Sequence, residues 1–267
     1  MAIRRGVLWR YALKNNLHVP LVLPWHEGTK VEVTLGDDES FCVYVAGSFE
    51  PNEFAFLDRT LRHGMTFLDI GANHGLYSLF AAGRVGTPGR VVAFEPSSRE
   101  RHILQRNLSL NRLSNVTVLP VALADERAEA HLQIAPVLHG GHNTLGGFAH
   151  EGVAAVAAEL VPVETLDEVA DRLELDKVDV IKIDVEGAEV RVLKGAHRLL
   201  TTCRPVLLIE ANDEALRKQA TSTSQLVDLL RSLDYEIFVF LDKTGLAEPW
   251  QGGALSANIV AKPLPLL

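Results

Sequence analysis

The sequence predicts an α/β protein with a doubly wound, mostly parallel sheet. From residue 66 onward, short apolar segments alternate with segments of helical spacing. The apolar segments are continuous and rich in β-branched residues, which is typical of parallel strands buried on both faces. The first of them runs into a turn of small residues, Asp69–Gly75, and this order indicates a ligand site at the sheet edge.

Length, charge and cysteine content restrict the class of protein. The 267 residues can bury one sizeable core, and the formal charge of −8 predicts repulsion of polyanions such as nucleic acids. Cys42 and Cys203 are too few and too distant for a disulfide framework or a zinc site. No stretch approaches the roughly 18 apolar residues of a membrane helix. We expect a cytoplasmic protein without a membrane or nucleic-acid partner, and the oligomeric state stays open.

Residues 1–48 are predicted to form an N-terminal arm and a β-hairpin cap, and residues 49–267 the main domain. The hairpin is predicted from polar–apolar alternation in Lys30–Leu35 and Phe41–Val45, on either side of the turn-rich residues 36–40. The arm contains a basic cluster that we interpret as solvated: Arg4, Arg5 and Arg10.

In the main domain a helix is predicted to begin near Pro51, because proline suits the first helical position and Phe54, Leu57 and Leu61 have helical spacing. The predicted strands are Thr66–Ile70, Val91–Phe94, Val116–Leu119, Val178–Ile183, Val206–Ile209, Glu236–Phe240 and Ser256–Ala261. The predicted helices between them are Leu76–Ala82, Ser98–Asn111, Ala188–Leu200 and Ser224–Leu233. Residues 129–165 interrupt this alternation, and their glycine-rich part is either a lid or a plain surface loop.

The turn after the first strand favours a nucleotide-like ligand without phosphates. Gly71 permits a sharp bend, and Gly75 lets the following helix pack closely against the strand. Asn73 stands where a dinucleotide fingerprint has its middle glycine, which allows close approach of a pyrophosphate. Asp69 would repel a pyrophosphate and attract an ammonium group. The turn therefore argues against a nucleotide-dependent oxidoreductase, which stays the less favoured alternative.

Glu95 ends the second strand, a little more than 20 residues after the turn. A carboxylate near that position can bind both ribose hydroxyls of a nucleoside. Free ribose hydroxyls, no phosphate and a zwitterionic tail together describe S-adenosylmethionine. The turn and Glu95 therefore predict this cofactor.

A third motif, Lys182–Glu189, carries four charged residues around a predicted strand end. Lys182 and Asp184 lie on one face of the strand, and we expect Lys182 to form a buried ion pair with a neighbouring carboxylate. Glu186 and Glu189 lie near the next helix start, where the helix dipole favours acidic residues. Capping alone does not readily explain all four charges.

These motifs resemble the FkbM family of S-adenosylmethionine-dependent methyltransferases. The similarity rests on Asp69–Asn73 with Gly75, on Phe94-Glu95-Pro96 and on Lys182–Glu189, with weaker similarity at Phe49-Glu50-Pro51 and Thr165-Leu166-Asp167. It covers residues 45–262 and implies a class I, Rossmann-like methyltransferase fold whose seven-stranded sheet has an antiparallel last strand. The implied activity is O-methylation of a hydroxyl on a sugar, a glycan or a polyketide-type natural product.

The resemblance also implies the roles of individual residues. Val121 and Ala122 would flank the adenine, and Asp184 would close the site near the methionine end. The predicted cofactor-binding residues are Glu50, Asp69, Gly71, Ala72, Asn73, Gly75, Tyr77, Glu95, Pro96, Val121, Ala122 and Asp184.

A hydroxyl acceptor needs positioning and benefits from a general base. The candidates are Asp184, Glu210 and a loop histidine, His142 or His139. Strand-end carboxylates could instead hold Mg²⁺, but no spacing fixes such a set, so we predict no metal ligands. A non-catalytic cofactor-binding module is the other alternative. The acceptor pocket is expected from the hairpin and residues 137–150.

Overall fold

The computed structural model describes residues 2–149, 152–241 and 244–265. The strands are β1 Pro20–Pro24, β2 Lys30–Thr34, β3 Thr66–Ile70, β4 Arg90–Phe94, β5 Val116–Leu119, β6 Ala122–Leu123, β7 Ala128–Ile134, β8 Ala157–Glu164, β9 Val180–Ile183, β10 Val206–Glu210, β11 Tyr235–Phe240, β12 Ala247–Pro249 and β13 Asn258–Pro263. The α-helices are α1 Ala2–Lys14, α2 Asp38–Phe41, α3 Pro51–Thr60, α4 Leu76–Val85, α5 Ser98–Asn111, α6 Leu166–Arg172, α7 Glu189–Lys194, α8 His197–Thr202, α9 Asp213–Lys218 and α10 Thr223–Ser232. A π-helical turn spans Cys42–Ala46, and 3₁₀ turns span His26–Gly28 and Val137–His142.

Eight of the described strands form a large mixed sheet in the order β12-β11-β13-β10-β9-β3-β4-β5, whereas β1 pairs with β2, and β6, β8 and β7 form a third sheet. Strands β10, β9, β3, β4 and β5 are parallel to their neighbours in this run, and β13 is antiparallel to both β10 and β11. The predicted α/β class and the antiparallel last strand are therefore confirmed. The sheet has an eighth strand, β12, that was not predicted, because Ala-Glu-Pro has little β propensity and suits a short edge strand.

Both faces of the sheet are covered by helices. Along β3, Phe67 belongs to the apolar cluster that includes α4 and α5, and Leu68 to the cluster that includes α6, α7 and α10. Both side chains are fully buried, which explains why the central strands read as continuous apolar runs. The carboxyl ends of β3, β4, β9 and β10 meet at one edge, and the candidate site lies there.

The N-terminal hairpin exists, but one of its predicted strands is wrong. The hairpin pairs β1 with β2, whereas Phe41–Val45 is helical. The Asp37 side chain accepts the backbone N–H of Ser40 and so caps α2, which continues as the π-helical turn. Five alternating residues cannot distinguish a strand from a helical segment. Strand β1 was not predicted because a proline stands at each of its ends, although proline is tolerated at the ends of an edge strand.

Three further segments differ from the prediction. The arm contains α1, and residues 129–165 contain the antiparallel strands β7 and β8, joined by a connection that includes the 3₁₀ turn. The predicted helix Ala188–Leu200 is divided into α7 and α8 at Gly195. A side chain at Gly195 would lie 2.0 Å from the carbonyl oxygen of Ala124, so the chain bends where the backbones touch.

The predicted division at residues 48 and 49 stays a prediction. Trp9, Val31 and Tyr44 lie in the same apolar cluster as Phe67 of β3 and Leu79 of α4. Within the described residues, no helix has the length and apolarity needed to cross a bilayer. The parts of our predicted ranges that fall at residues 1, 150, 151, 242, 243, 266 and 267 lie outside the described residues.

Candidate functional site

The turn after β3 brings the backbone close to the end of β9. Gly71 has φ +80°, and a Cβ there would lie 1.7 Å from the carbonyl oxygen of Asp184. The N–H groups of Gly71 and Ala72 both donate to the carbonyl oxygen of Phe94, at 3.1 and 2.9 Å. These contacts hold the turn against both neighbouring strands, so a glycine is required at position 71.

Glu95, at the end of β4, accepts two backbone hydrogen bonds. The N–H of Asn73 donates to Oε2 at 2.7 Å, and the N–H of Ser97 donates to Oε1 at 2.8 Å. Burial raises the pKa of Glu95 to about 7, although both amides favour the carboxylate. The side chain is thus fixed in orientation at the wall of a cleft.

This first cleft holds about 590 Å³ of empty space, including the open solvent at its mouth. It contains seven of the predicted cofactor-binding residues: Gly71, Asn73, Glu95, Pro96, Val121, Ala122 and Asp184. Further lining residues include Ile70, Phe94, Glu100, Leu132, Gly140, Gly141, Asn143 and Glu186. Among the described residues that line it, none is lysine, arginine or histidine, so the cleft offers carboxylates, amides and apolar surface.

A second cleft adjoins the first and is more polar, with about 870 Å³ of empty space when the open solvent at its mouth is included. The two clefts share Gly71, Asn73, Gly141, Asp184 and Glu186. The second cleft adds the predicted residues Glu50, Ala72, Tyr77, His142 and Glu210, together with Phe49, Leu76 and Lys182. A ligand in one cleft can therefore meet a ligand in the other at the shared wall.

Lys182 lies below this wall and pairs with two carboxylates. Its ammonium nitrogen is 3.1 Å from Oδ2 of Asp184 and 3.9 Å from Oδ1 of Asp69, and it donates to the carbonyl oxygen of Gly71 at 3.0 Å. It also lies 4.8 Å from the centre of the Tyr77 ring. The predicted buried ion pair is confirmed.

Asp69 and Gly75 line neither cleft. Asp69 is fully buried and accepts the hydroxyl of Ser78 at 2.6 Å, and Gly75 packs against Leu104, which a Cβ would meet at 2.2 Å. The expectation that Asp69 attracts a ligand ammonium group is therefore corrected. Its charge faces Lys182, because β3 directs this side chain behind the turn.

Glu50 connects the second cleft to the last strand. It accepts the Tyr77 hydroxyl, and Nδ2 of Asn258 on β13 donates to Glu50 at 3.0 Å and to Glu53 at 3.1 Å. Burial and, to a smaller degree, the charge of Asp184 raise the pKa of Glu50 to about 7. Sequence reasoning missed Asn258, because it joins the site only through strand pairing.

Three carboxylates converge where the clefts meet. Oxygen atoms of Asp184, Glu186 and Glu210 lie within 4.8 Å of one another. Burial, followed by the charges of Asp184 and Glu186, raises the pKa of Glu210, and its buried Oε2 has no hydrogen-bond partner among the described residues. The set has ligand types that suit a divalent cation. Nothing else in the described residues points to one, so we assign no metal.

The connection between β7 and β8 borders both clefts. Nδ1 of His142 lies 2.9 Å from Oε1 of Glu186, and the Thr144 hydroxyl donates to the Glu186 carbonyl oxygen at 3.1 Å. Asn143 donates to Glu100 at 3.0 Å. Glu186 was missed as a site residue because its position at a helix start had suggested capping. Glu189 instead has that local role and accepts the N–H groups of Val185 and Gly187.

The sheet order, the antiparallel last strand and a carboxylate at the end of the second parallel strand define a class I, Rossmann-like methyltransferase fold. Residues 69–237 match the family model described as the methyltransferase FkbM domain. The chain therefore belongs to the FkbM methyltransferase family, as the sequence motifs indicated.

Similar proteins include two curated relatives and a solved structure. The chain is 29% identical over 210 residues to AMB antimetabolite synthetase AmbE of Pseudomonas aeruginosa, covering 66% of this chain and 10% of that protein. It is 31% identical over 174 residues to 31-O-demethyl-FK506 methyltransferase FkbM of Streptomyces tacrolimicus, covering 53% of this chain and 66% of that one. The crystal structure of methyltransferase FkbM from Methylobacillus flagellatus aligns with a TM-score of 0.51 at 20% identity, covering 84% of this chain and 51% of that chain. This last likeness concerns the fold.

Proposed function

We propose that the protein is an S-adenosylmethionine-dependent O-methyltransferase that acts on a hydroxyl of a sugar, a glycan or a polyketide-type natural product. The observation that carries the proposal is the pair of adjoining clefts, one with Glu95 in its wall and one with a histidine–carboxylate pair. The family membership and the relative named as a 31-O-demethyl-FK506 methyltransferase support methyl transfer to oxygen.

The first cleft fits S-adenosylmethionine by its chemistry. Its described lining has no cationic side chain to bind phosphates, and its carboxylates suit hydroxyl groups and a positively charged ligand. Glu95 would hold the ribose hydroxyls, Val121 and Ala122 would contact the adenine, and Asp184 would face the methionine end. When bound, this cofactor supplies a methyl group activated by a sulfonium. Asp69 and Gly75 would position the turn.

The second cleft would hold the acceptor, and His142 would take the proton from its hydroxyl. Glu186 accepts a hydrogen bond from Nδ1 of His142 when that nitrogen carries the proton. The carboxylate orients the imidazole and would stabilise its cationic form. Of the other predicted bases, Asp184 is paired with Lys182, and Glu210 has a raised pKa that favours its protonated, hydrogen-bond-donating form. His142 is therefore the preferred proton acceptor.

A paired substitution of the two loop histidines tests this assignment. His142→Gln should keep S-adenosylmethionine binding in calorimetry but lower methyl transfer by about 10²–10⁴-fold, the usual contribution of a general base. His139→Gln is the matched control, since His139 belongs to the same 3₁₀ turn but does not line the second cleft. Transfer would be followed by mass spectrometry with a panel of sugars and polyketide alcohols.

The same assays separate the alternatives. Binding of S-adenosylmethionine without transfer to any acceptor would indicate a non-catalytic module. Binding of NADH in a fluorescence titration without S-adenosylmethionine binding would indicate an oxidoreductase and overturn the proposal. Equal rates of methyl transfer in the His142 and His139 variants would contradict the role of His142 as the proton acceptor.

A further inference from the structure

Exposed apolar side chains are concentrated near the N-terminal helix. Eight of the sixteen large hydrophobic residues that are exposed in the described chain precede residue 42. On α1, Trp9 is buried and packs edge-on against Phe41, 5.2 Å between ring centres, which fixes the inward face of the helix. Val7, Leu8 and Tyr11 on the other side are 55%, 45% and 60% exposed. These three apolar side chains therefore face solvent on one side of α1.

The same side of α1 is positively charged. Arg4, Arg10 and Lys14 are exposed there, whereas Arg5 is tied down by a hydrogen bond to the Tyr44 carbonyl oxygen at 2.9 Å. Residues 1–26 contain no aspartate or glutamate, in a chain whose formal charge is −8. The charge of α1 is therefore opposite in sign to that of the molecule as a whole. Within a Debye length of about 10 Å, α1 attracts an anionic surface.

We propose that the α1 face, defined as Arg4, Val7, Leu8, Arg10, Tyr11 and Lys14, docks on the surface of an anionic lipid bilayer. Near the surface of an anionic bilayer each of these cations contributes about 1 kcal/mol of attraction, and the apolar side chains among them can enter the headgroup region. The helix has 13 residues and does not span a bilayer. This proposal is independent of the proposed activity and replaces the expectation of no membrane partner.

A second copy of the chain is a poorer occupant of this surface. A symmetric contact would bring Arg10 and Lys14 of both copies towards each other, and like charges repel. Three exposed apolar side chains are also few for a stable dimer, which buries about 800 Å² on each partner. An anionic bilayer needs no such area and matches the charge.

The test is flotation of the full chain with vesicles of phosphatidylcholine, with and without phosphatidylserine. We expect binding to the phosphatidylserine vesicles, weakened by added salt, and little binding to phosphatidylcholine alone. Arg10→Gln with Lys14→Gln should lower partitioning about 25-fold, about 5-fold for each cation. Val7→Ser with Tyr11→Ser should also lower it, and circular dichroism checks folding of each variant.

Matched controls come from exposed residues elsewhere. Val156→Ser with Leu160→Ser removes apolar side chains that are 63% and 60% exposed, and Arg127→Gln with Lys177→Gln removes two exposed cations. Both control variants should partition like the parent chain. No binding to phosphatidylserine vesicles, or equal losses in the controls, would overturn the proposal. Concentration-dependent dimers that disappear in the Val7/Tyr11 variant, without vesicle binding, would assign the α1 face to self-association instead.

Discussion

The ammonium group of Lys182 lies 3.1 Å from the carboxylate of Asp184, two residues further along the same strand end. Asp69 approaches the ammonium from the neighbouring strand at 3.9 Å, and the Gly71 carbonyl oxygen accepts from it at 3.0 Å. Nearby carboxylates raise the pKa of Lys182 in spite of its burial, so it stays charged. One buried cation thus joins β3, β9 and the turn that shapes both clefts.

Lys182→Met should destabilise the protein by about 3–5 kcal/mol, because it leaves the buried Asp69 and the half-buried Asp184 without their cation. Lys177→Met is the matched control. Lys177 pairs with Asp179 at 2.8 Å, but its side chain is 74% exposed, and such pairs contribute less than about 1 kcal/mol. Urea denaturation measures both changes. A similar loss of unfolding free energy in the two variants would show that burial of the Lys182 ion pair adds no stability.

Gly71→Ala and Gly83→Ala should have effects of opposite sign. At Gly71 a Cβ would lie 1.7 Å from a backbone oxygen at φ +80°, so alanine should cost about 3 kcal/mol or more. At Gly83, inside α4, a Cβ meets nothing within 4 Å, and alanine should stabilise by about 0.5–1 kcal/mol. Thermal melts of the two variants check the signs. A stable Gly71→Ala protein would mean that the turn does not touch Asp184.

The sequence was sufficient for seven of the eight strands of the large sheet and for the carboxylates at their ends, because these depend on local patterns. The strand ends at Asp69, Glu95 and Asp184 follow from continuous apolar runs, and parallel strands bring their carboxyl ends together. The position of Glu210 beside Asp184 follows for the same reason, since β9 and β10 pair in parallel.

Other features depend on contacts between distant segments. Asn258 reaches Glu50 because β13 pairs with β10, and no local pattern at either residue indicates this hydrogen bond. His142 meets Glu186 because the connection between β7 and β8 borders the end of β9. The alternation in Ala128–Ile134 is compatible with a strand, but no local pattern places His142 beside Glu186. The sequence places Asp69 near the end of β3 but does not determine which way its side chain points. It was therefore predicted to bind a ligand, whereas its carboxylate faces Lys182.

Stability should decrease with pH through the titration of Glu189. Burial raises its pKa from 4.5 to about 7, although Oε1 accepts the N–H groups of Val185 and Gly187. Between these two values the folded protein keeps a proton that the unfolded chain has lost. The contribution of Glu189 to stability is therefore full below pH 4.5, falls as the pH rises to about 7, and is constant above that.

Comparison of the parent chain with Glu189→Gln isolates this group. The difference in unfolding free energy, parent minus variant, should fall by about 2–3 kcal/mol between pH 4.5 and 7.5. Glu126→Gln, at an exposed position, is the matched control. Urea titrations at several pH values measure both. A flat difference for Glu189→Gln would contradict the raised pKa.

Affinity for S-adenosylmethionine should depend on Glu95 and on pH in a linked way. If the Glu95 carboxylate accepts the ribose hydroxyls, Glu95→Ala should weaken binding about 10- to 100-fold, the usual effect of losing hydrogen bonds to a charged group. Glu126→Ala serves as the exposed control.

Because the pKa of Glu95 is raised to about 7, part of the protein must lose a proton before it binds, so affinity should rise from pH 6 to pH 8 and then level off. Glu95→Gln has no charge to lose and should bind more weakly with a flat pH profile. Calorimetry in two buffers of different ionisation enthalpy would also detect the released proton in the parent chain and none in the variant. A pH-independent affinity in the parent, matched by Glu95→Gln, would place the ribose away from Glu95.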